Sequence, residues 1–311
     1  MSVLVFFNGI FLRLVGLFLA GVLAVSGLRA PCPCTTFEAM DPDNLRLNVS
    51  VFADVHMMGF FWSQFRLPTE SFVQLAASLN DMSRAAQPVD ALVLLGDNTQ
   101  NGQWLEYVWL FGLLQRFNPA RETLVTLGNH DLSLNTMSAR RSIGRHNFFW
   151  RSVDRNMRGS EAYYARLIND HLFVTIAGEG PDCETYISQQ QLDWLAETMA
   201  TAPVGKPVFV FVHQSIHSYR PGVFPRAAQV RAILEEHDNV FVFGGHWHSP
   251  FNYSLEYGVH YFNVPSLHAH TAAQPRGQGV QIEVYDNEVV VRARDFINGQ
   301  WLESYEVVQL A

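Results

Sequence analysis

The stretch Gly245-His246-Trp247-His248 places two imidazoles one residue apart, directly after the apolar run 240–243. If that run is a strand, the turn after it lets both rings face one point, an arrangement suited to holding a metal ion. The pattern recurs along the chain. Asp54-Val55-His56 follows the run 45–52, Gly96-Asp97-Asn98 follows 91–95, Gly128-Asn129-His130-Asp131 follows 123–127, and His213 follows 208–212. Each fragment alone reads equally well as a surface turn, a helix cap or a hydrogen-bonded core histidine. As an ordered set, each at the end of an apolar run, they read as one metal site. Carboxylate, amide and imidazole ligands without a thiolate suit Mn, Fe, Zn, Co or Ni better than Mg or Ca.

Such a site needs a scaffold that gathers strand ends. The runs 45–52, 91–95, 123–127, 172–177, 208–212 and 240–243 are short and β-branched or aromatic, as buried strands are. Between them, Phe72, Leu75, Ala76 and Leu79, and again Leu192, Leu195, Ala196 and Met199, follow the i, i+3, i+4, i+7 spacing of a helix face. Ser188 and Gln191 have the form of a capping box for the second helix. Alternation of this kind predicts right-handed crossovers and an α/β core, whose working groups sit past the C-terminal ends of strands. After Tyr257 the rhythm changes. The runs 257–264, 279–285, 288–294 and 301–308 are expected to pair as a mostly antiparallel sheet, with Asp286-Asn287 as a hairpin turn.

Composition narrows the class further. Across 311 residues the chain is 48% hydrophobic with a formal charge of −8, enough for a sizeable core and a poor match to a phosphate backbone. No nucleic-acid polymer is expected as partner, and an anionic substrate would need positive charge brought by metal ions. Val3 to Leu28 is almost wholly apolar, interrupted by Asn8 and Arg13, and Ala24-Val25-Ser26 or Val25-Ser26-Gly27 fits a small-residue cleavage pattern. Residues 1–30 are therefore expected to be a signal peptide or an uncleaved membrane anchor, 31–44 a linker, and 45–311 the catalytic domain. Either N-terminal reading places that domain outside the cytoplasm, secreted or membrane-anchored through residues 3–28. Cys32, Cys34 and Cys183 imply no disulfide framework and no thiolate site.

The motif string D-x-H, G-D, G-N-H-[DE], H and G-H-x-H, complete and in order from Asp54 to His248, resembles that of the calcineurin-like metallophosphoesterases. Ile187 to Leu195 looks like the Q-x-x-W-L helix of the branch containing the class III cyclic-nucleotide phosphodiesterases, and Asn263-Val264-Pro265-Ser266 is similar to a loop of that branch. The resemblance implies an α/β fold: a β-sandwich of two mixed sheets flanked by helices, in four layers α/β/β/α. It implies two divalent transition metal ions. Asp54, His56, Asp97 and His248 would hold one, and Asp97, Asn129, His213 and His246 the other, with Asp97 shared. It also implies that water activated by the ion pair attacks phosphorus, with His130 stabilising the transition state or protonating the leaving oxygen and Asp131 orienting His130. A small phosphodiester is the favoured substrate and a phosphomonoester the alternative.

Departures from sister branches sharpen this. Gln100 stands where purple acid phosphatases have a tyrosine ligand, so no ferric-tyrosinate centre is expected. The stretch 97–102 lacks the arginine of protein Ser/Thr phosphatases, and Asp131 replaces their glutamate, which disfavours protein substrates. His217, four residues beyond His213, and Arg145, within the basic and aromatic stretch 140–151, are candidate substrate contacts, with a polar loop and a solvated amphipathic segment as the respective bland readings. His268 and His270 read chiefly as loop residues. The competing class is a non-catalytic, metal-stabilised scaffold of the same fold. Retention of His130 and every ligand position argues for the enzyme.

Overall fold

The computed structural model describes residues 3–25, 35–59, 70–132, 138–154, 162–179, 186–216, 226–269 and 271–311, with side chains of the first helix described over 8–21. Ser26, Gly27, Cys32, Cys34, Cys183, His217 and His270 fall outside these residues. In chain order the first elements are α1 (Val3–Val25), β1 (Leu47–Phe52), α2 (Glu70–Met82), β2 (Ala91–Leu95), α3 (Trp104–Phe117), β3 (Glu122–Thr126), the single turn α4 (Asn129–Leu132) and α5 (Ala139–Trp150). Then follow β4 (Tyr164–Ile168), β5 (His171–Ile176), α6 (Gln189–Met199), β6 (Val208–Val212), α7 (Ala227–Leu234), β7 (Val240–Gly244), β8 (Asn252–Glu256), β9 (Val259–Asn263), β10 (Gln278–Val284), β11 (Glu288–Asp295) and β12 (Gln300–Gln309).

Two mixed six-stranded sheets result, in the orders β12-β11-β10-β1-β2-β3 and β4-β5-β6-β7-β9-β8. Strands β1, β2, β5, β6 and β7 are buried at every position, which is why they read as largely apolar runs. Within β6 and β7, residue size alternates with period two. Phe209, Phe211, Phe241 and Phe243 face the other sheet across the central core with Val49, Val51, Val93 and Ile282, while Val208, Val210, Val212 and Val242 face α6 and α7. Helices α1, α2, α3 and α5 cover the opposite outer face. The layers are α/β/β/α, as expected.

Three local expectations are corrected. The run 257–264 does not join the C-terminal antiparallel sheet, because β9 pairs in parallel with β7 and antiparallel with β8 in the second sheet; its alternating pattern suits either sheet, and only the position of its partner decides. Strands β4 and β8 were not anticipated, since both are half-exposed edge strands without an apolar run. Half of the capping box forms. Ser188 Oγ accepts from Gln191 N at 3.1 Å, but the Gln191 amide donates to the Ala177 carbonyl and to Glu179 instead of returning to the cap. The Asp286-Asn287 hairpin is present, closed by Tyr285 N donating to the Glu288 carbonyl at 2.9 Å.

Helix α1 lies along α3. A methyl group at Gly16 would stand 2.8 Å from the Gly112 carbonyl, so the backbones touch where both helices carry glycine. Asn8 Nδ2 donates to the Phe148 carbonyl at 3.2 Å. Taken over the described residues, no helix is long and apolar enough to cross a membrane.

Candidate metal centre

The expected ligands leave β1, β2, β3, β6 and β7 from the same edge of the two sheets. Backbone hydrogen bonds zip their loops together: Asp54 N to Gly96 O at 3.2 Å, His56 N to Asp97 O at 2.8 Å, and Gly245 N to His213 O at 2.9 Å. Five of these residues adopt left-handed backbone, Asp54 (φ 55°), His56 (45°), Asp97 (47°), His246 (71°) and His248 (49°). Non-glycine residues there cost on the order of 1 kcal/mol each, and such conformations gather where geometry serves something other than folding. The glycines beside them are steric necessities. A Cβ at Gly96 would collide with the His213 ring, and one at Gly128 with the Asp97 carboxylate.

Side chains converge tightly. His248 Nε2 is 3.2 Å from Asp54 Oδ1 and 3.1 Å from His56 Nε2. His56 Nε2 is 3.7 Å from Asp97 Oδ2, and His213 Nε2 is 3.1 Å from the same oxygen. Donor atoms of Asp54, His56 and His248 form one cluster within 4.8 Å, those of Asp97, His213 and His246 a second, and those of His56, Asp97 and His130 a third between them. Asp54, Asp97 and His213 are almost wholly buried.

A divalent cation fits this cage on its hydrogen-bond accounting. Asn129 Oδ1 and His246 Nδ1 are buried with no hydrogen-bond partner among the described residues. Leaving a buried polar atom unmet costs about 1–3 kcal/mol, so these groups fit better as ligands than as core residues. Of the two His213 nitrogens, Nδ1 donates to the Leu95 carbonyl at 2.8 Å, which turns Nε2 toward Asp97. Two clusters sharing one carboxylate could hold two ions.

Electrostatics match the geometry. Burial lowers His56 to about 3 and His246 to about 4, so both rings are neutral and free to ligate. Burial also works against charge on His213, but Asp97 foremost and Asp54 after it raise it to about 9. For Asp97 burial works upward, yet His213, His56 and His130 hold it well below the usual carboxylate range.

His130 and Asp131 sit on α4. His130 N donates to Asp97 Oδ1 at 2.8 Å, and its ring meets the His56 ring edge-on at 4.7 Å. The expectation that Asp131 orients His130 is corrected, since His130 Nδ1 donates to the Gln100 carbonyl at 2.8 Å. Asp131 instead accepts from Thr99 N and Oγ1 at 2.9 and 2.7 Å, and from Asn98 N, Asn98 Nδ2 and Gly128 N at 3.0–3.1 Å. It braces the loops after β2 and β3. Burial, then Asp97, pushes its carboxyl up to about 6 against those bonds. The carbonyl that holds His130 belongs to the backbone, so no side-chain signal could have revealed it.

His268 is brought to the rim, with its ring 6.0 Å from His56, its Nδ1 3.3 Å from Gln74 Oε1, and its N–H donating to the Asp54 carbonyl. Arg145 reaches the loop before α3 but donates to the Gly102 carbonyl and lies 5.7 Å from the Trp104 ring centroid, so its charge is engaged there. His146 is buried among Tyr107, Phe111 and Trp150, and His260 stacks on Phe241. The stretch around Arg145 is thus an amphipathic helix, with Ile143, Phe149 and Trp150 inward and Arg140 and Arg141 outward.

The sequence profile of the family described as calcineurin-like phosphoesterase matches residues 47–250. No curated protein sequence matches the chain. Among solved structures, a dimetal phosphatase from Danio rerio superposes with a TM-score of 0.62 at 14% identity, over 86% of this chain and 100% of that one. The purple acid phosphatase PPD1 of yellow lupin superposes with a TM-score of 0.61 at 10% identity, over 85% of this chain and 53% of the lupin chain. At these identities the likeness is one of fold.

Proposed function

The chain belongs to the calcineurin-like phosphoesterase family, and from that premise we propose that it is a dinuclear metal-dependent hydrolase of small phosphoesters, with diesters preferred over monoesters. The observation that carries this reading is the set of strained or partnerless donors that converge from five strand ends. Asp54, His56, Asp97 and His248 would bind one ion, and Asp97, Asn129, His213 and His246 the other. When bound, two divalent ions supply an activated water and neutralise charge on the phosphoryl oxygens. Two carboxylates against two such ions leave the cage at about +2, enough to draw a phosphate ester into an otherwise acidic protein.

The chain's own groups do the rest. The Gln100 carbonyl accepts from His130 Nδ1 whether the ring is neutral or charged, so the ring's orientation survives a change of protonation. Nε2 is then the nitrogen that would hand a proton to the leaving oxygen, and Nδ1 stays tied. Asp131 acts one step away, as the brace that keeps Asp97 and His130 in register. The diester preference rests on the helix beginning at Gln189 and on Asn263, whose Nδ2 donates to the Ser249 and Pro250 carbonyls and so secures the loop that carries His248. Arg145 and His217 stand as candidates for the distal part of the substrate. We also place the enzyme outside the cytoplasm, on the apolar character of its N-terminal segment.

The test uses metal-stripped protein reloaded separately with Mn, Zn, Ni or Fe and offered bis(p-nitrophenyl) phosphate and p-nitrophenyl phosphate. Metal-dependent turnover with the larger kcat/KM on the diester is expected. A clear monoester preference would overturn the diester assignment, and no turnover of either ester with any ion would overturn the phosphoesterase reading.

A further inference from the structure

Helix α1 has two apolar faces, and α3 uses only one. Leu12 and Leu19 are fully buried against the α2–α3–α5 layer, and Gly16 meets Gly112. On the other side Ile10, Phe11, Leu14, Leu17 and Phe18 are between 40% and 62% exposed. At about 100° per residue these five positions fall within an arc of about 120°, with Arg13 at its rim. Trp104, 53% exposed, adds an aromatic ring at the first turn of α3. An apolar stripe of this kind on an otherwise charged surface calls for a partner.

Charge identifies which partner. In a protein of net charge −8, helices α1, α3 and α5 carry exposed Arg13, Arg116, Arg140 and Arg141, and their one acid, Glu106, is buried. A second copy of the chain would bring like charges together across the stripe. A surface that is apolar beneath and anionic above satisfies both features, because arginine stems can lie along lipid while their guanidinium groups reach the headgroups.

We infer that this face docks on a bilayer containing anionic lipid, with α1 lying in the interface, on the same side as the catalytic domain. A helix that spanned the bilayer would have to leave α3, exposing Leu12, Leu19 and the Gly112 surface. The inference selects retention of the segment over its removal, and it does not rest on the phosphoesterase reading.

The full chain is to be co-sedimented with vesicles of phosphatidylcholine alone and of phosphatidylcholine with phosphatidylglycerol. Binding about tenfold tighter to the anionic vesicles, weakened by salt, is expected. Phe11→Glu/Leu14→Glu/Phe18→Glu should weaken it by about tenfold or more with an unaltered thermal unfolding transition; if that variant does not fold, Leu14→Glu alone should show a smaller loss in the same direction. Arg140→Glu/Arg141→Glu should remove most of the preference for anionic vesicles. Undiminished binding by the variants in the apolar stripe overturns the inference. So does a mature N-terminus beyond residue 25, an N-terminal tag found across the membrane from the domain, or vesicle-free self-association that those same variants abolish.

Discussion

Two buried ionic clusters in this molecule are built to opposite specifications. At one, fully buried Arg294 donates to both oxygens of Asp81 at 2.7 and 3.0 Å, to Thr35 Oγ1 at 3.3 Å, and lies 4.4 and 4.7 Å from the Phe37 and Trp301 rings. Nothing in it is unmet, and it pins Thr35 and Phe37 to the C-terminal strands. At the other, Asp54, Asp97, Asn129 and four histidines crowd together, five of the seven on left-handed backbone, and Asn129 Oδ1 and His246 Nδ1 find no hydrogen-bond partner among the described residues. A polar cluster that satisfies itself serves the fold. One that stays under-satisfied at a cost in strain is reserved for something that arrives later, here a pair of cations.

That contrast can be broken at either end. The largest effect is expected for Asp97→Ala, which removes the carboxylate shared by both clusters: kcat/KM should fall by about 10³-fold or more and bound metal should drop by elemental analysis. Arg294→Met should do the reverse, costing about 3–5 kcal/mol in denaturant titration while metal content and the turnover of the folded fraction hold. If Arg294→Met left stability intact and emptied the metal site, the two clusters would not be separable in this way. His130→Ala should lower kcat by about 10²-fold with metal occupancy unchanged, and an unchanged kcat would remove His130 from the chemistry.

Smaller effects sharpen the same point. His246→Gly relieves a φ of 71° and removes a ring whose Nδ1 has no hydrogen-bond partner among the described residues. It should therefore raise metal-free stability by up to about 1 kcal/mol in thermal unfolding while abolishing metal-dependent turnover. The metal-free protein should also lose stability with rising pH. His213 is raised from 6.5 to about 9 in the fold, so its contribution is fully present below about pH 6.5 and disappears as pH passes through 9. With metal bound the ring is neutral throughout, and that slope should vanish; a slope that persisted in the loaded protein would show that His213 is not a ligand.

Much of this was legible in the chain itself. Largely apolar runs followed by Asp, His or Asn marked strand ends, because a strand buried on both faces is mostly apolar until it leaves the sheet. Those runs predicted β1, β2, β3, β6 and β7 and every candidate ligand. The period-two pattern of β9 could not say which sheet it joins, and the half-exposed edges β4 and β8 carried no run at all. Arg294 and Asp81 lie 213 residues apart, and no local pattern linked them.

What the sequence by itself determined is which side chains meet, since strand length and turn position are short-range properties that deliver each candidate ligand to the same rim. Tertiary structure alone decided how they are held: that Leu95 and Gln100 offer the carbonyls that orient His213 and His130, that Asp131 braces two loops and does not reach the His130 ring, and that α1 keeps one apolar face uncovered. Those outcomes depend on backbone groups and surfaces contributed by segments distant in the chain, and a carbonyl oxygen is the same atom in every residue.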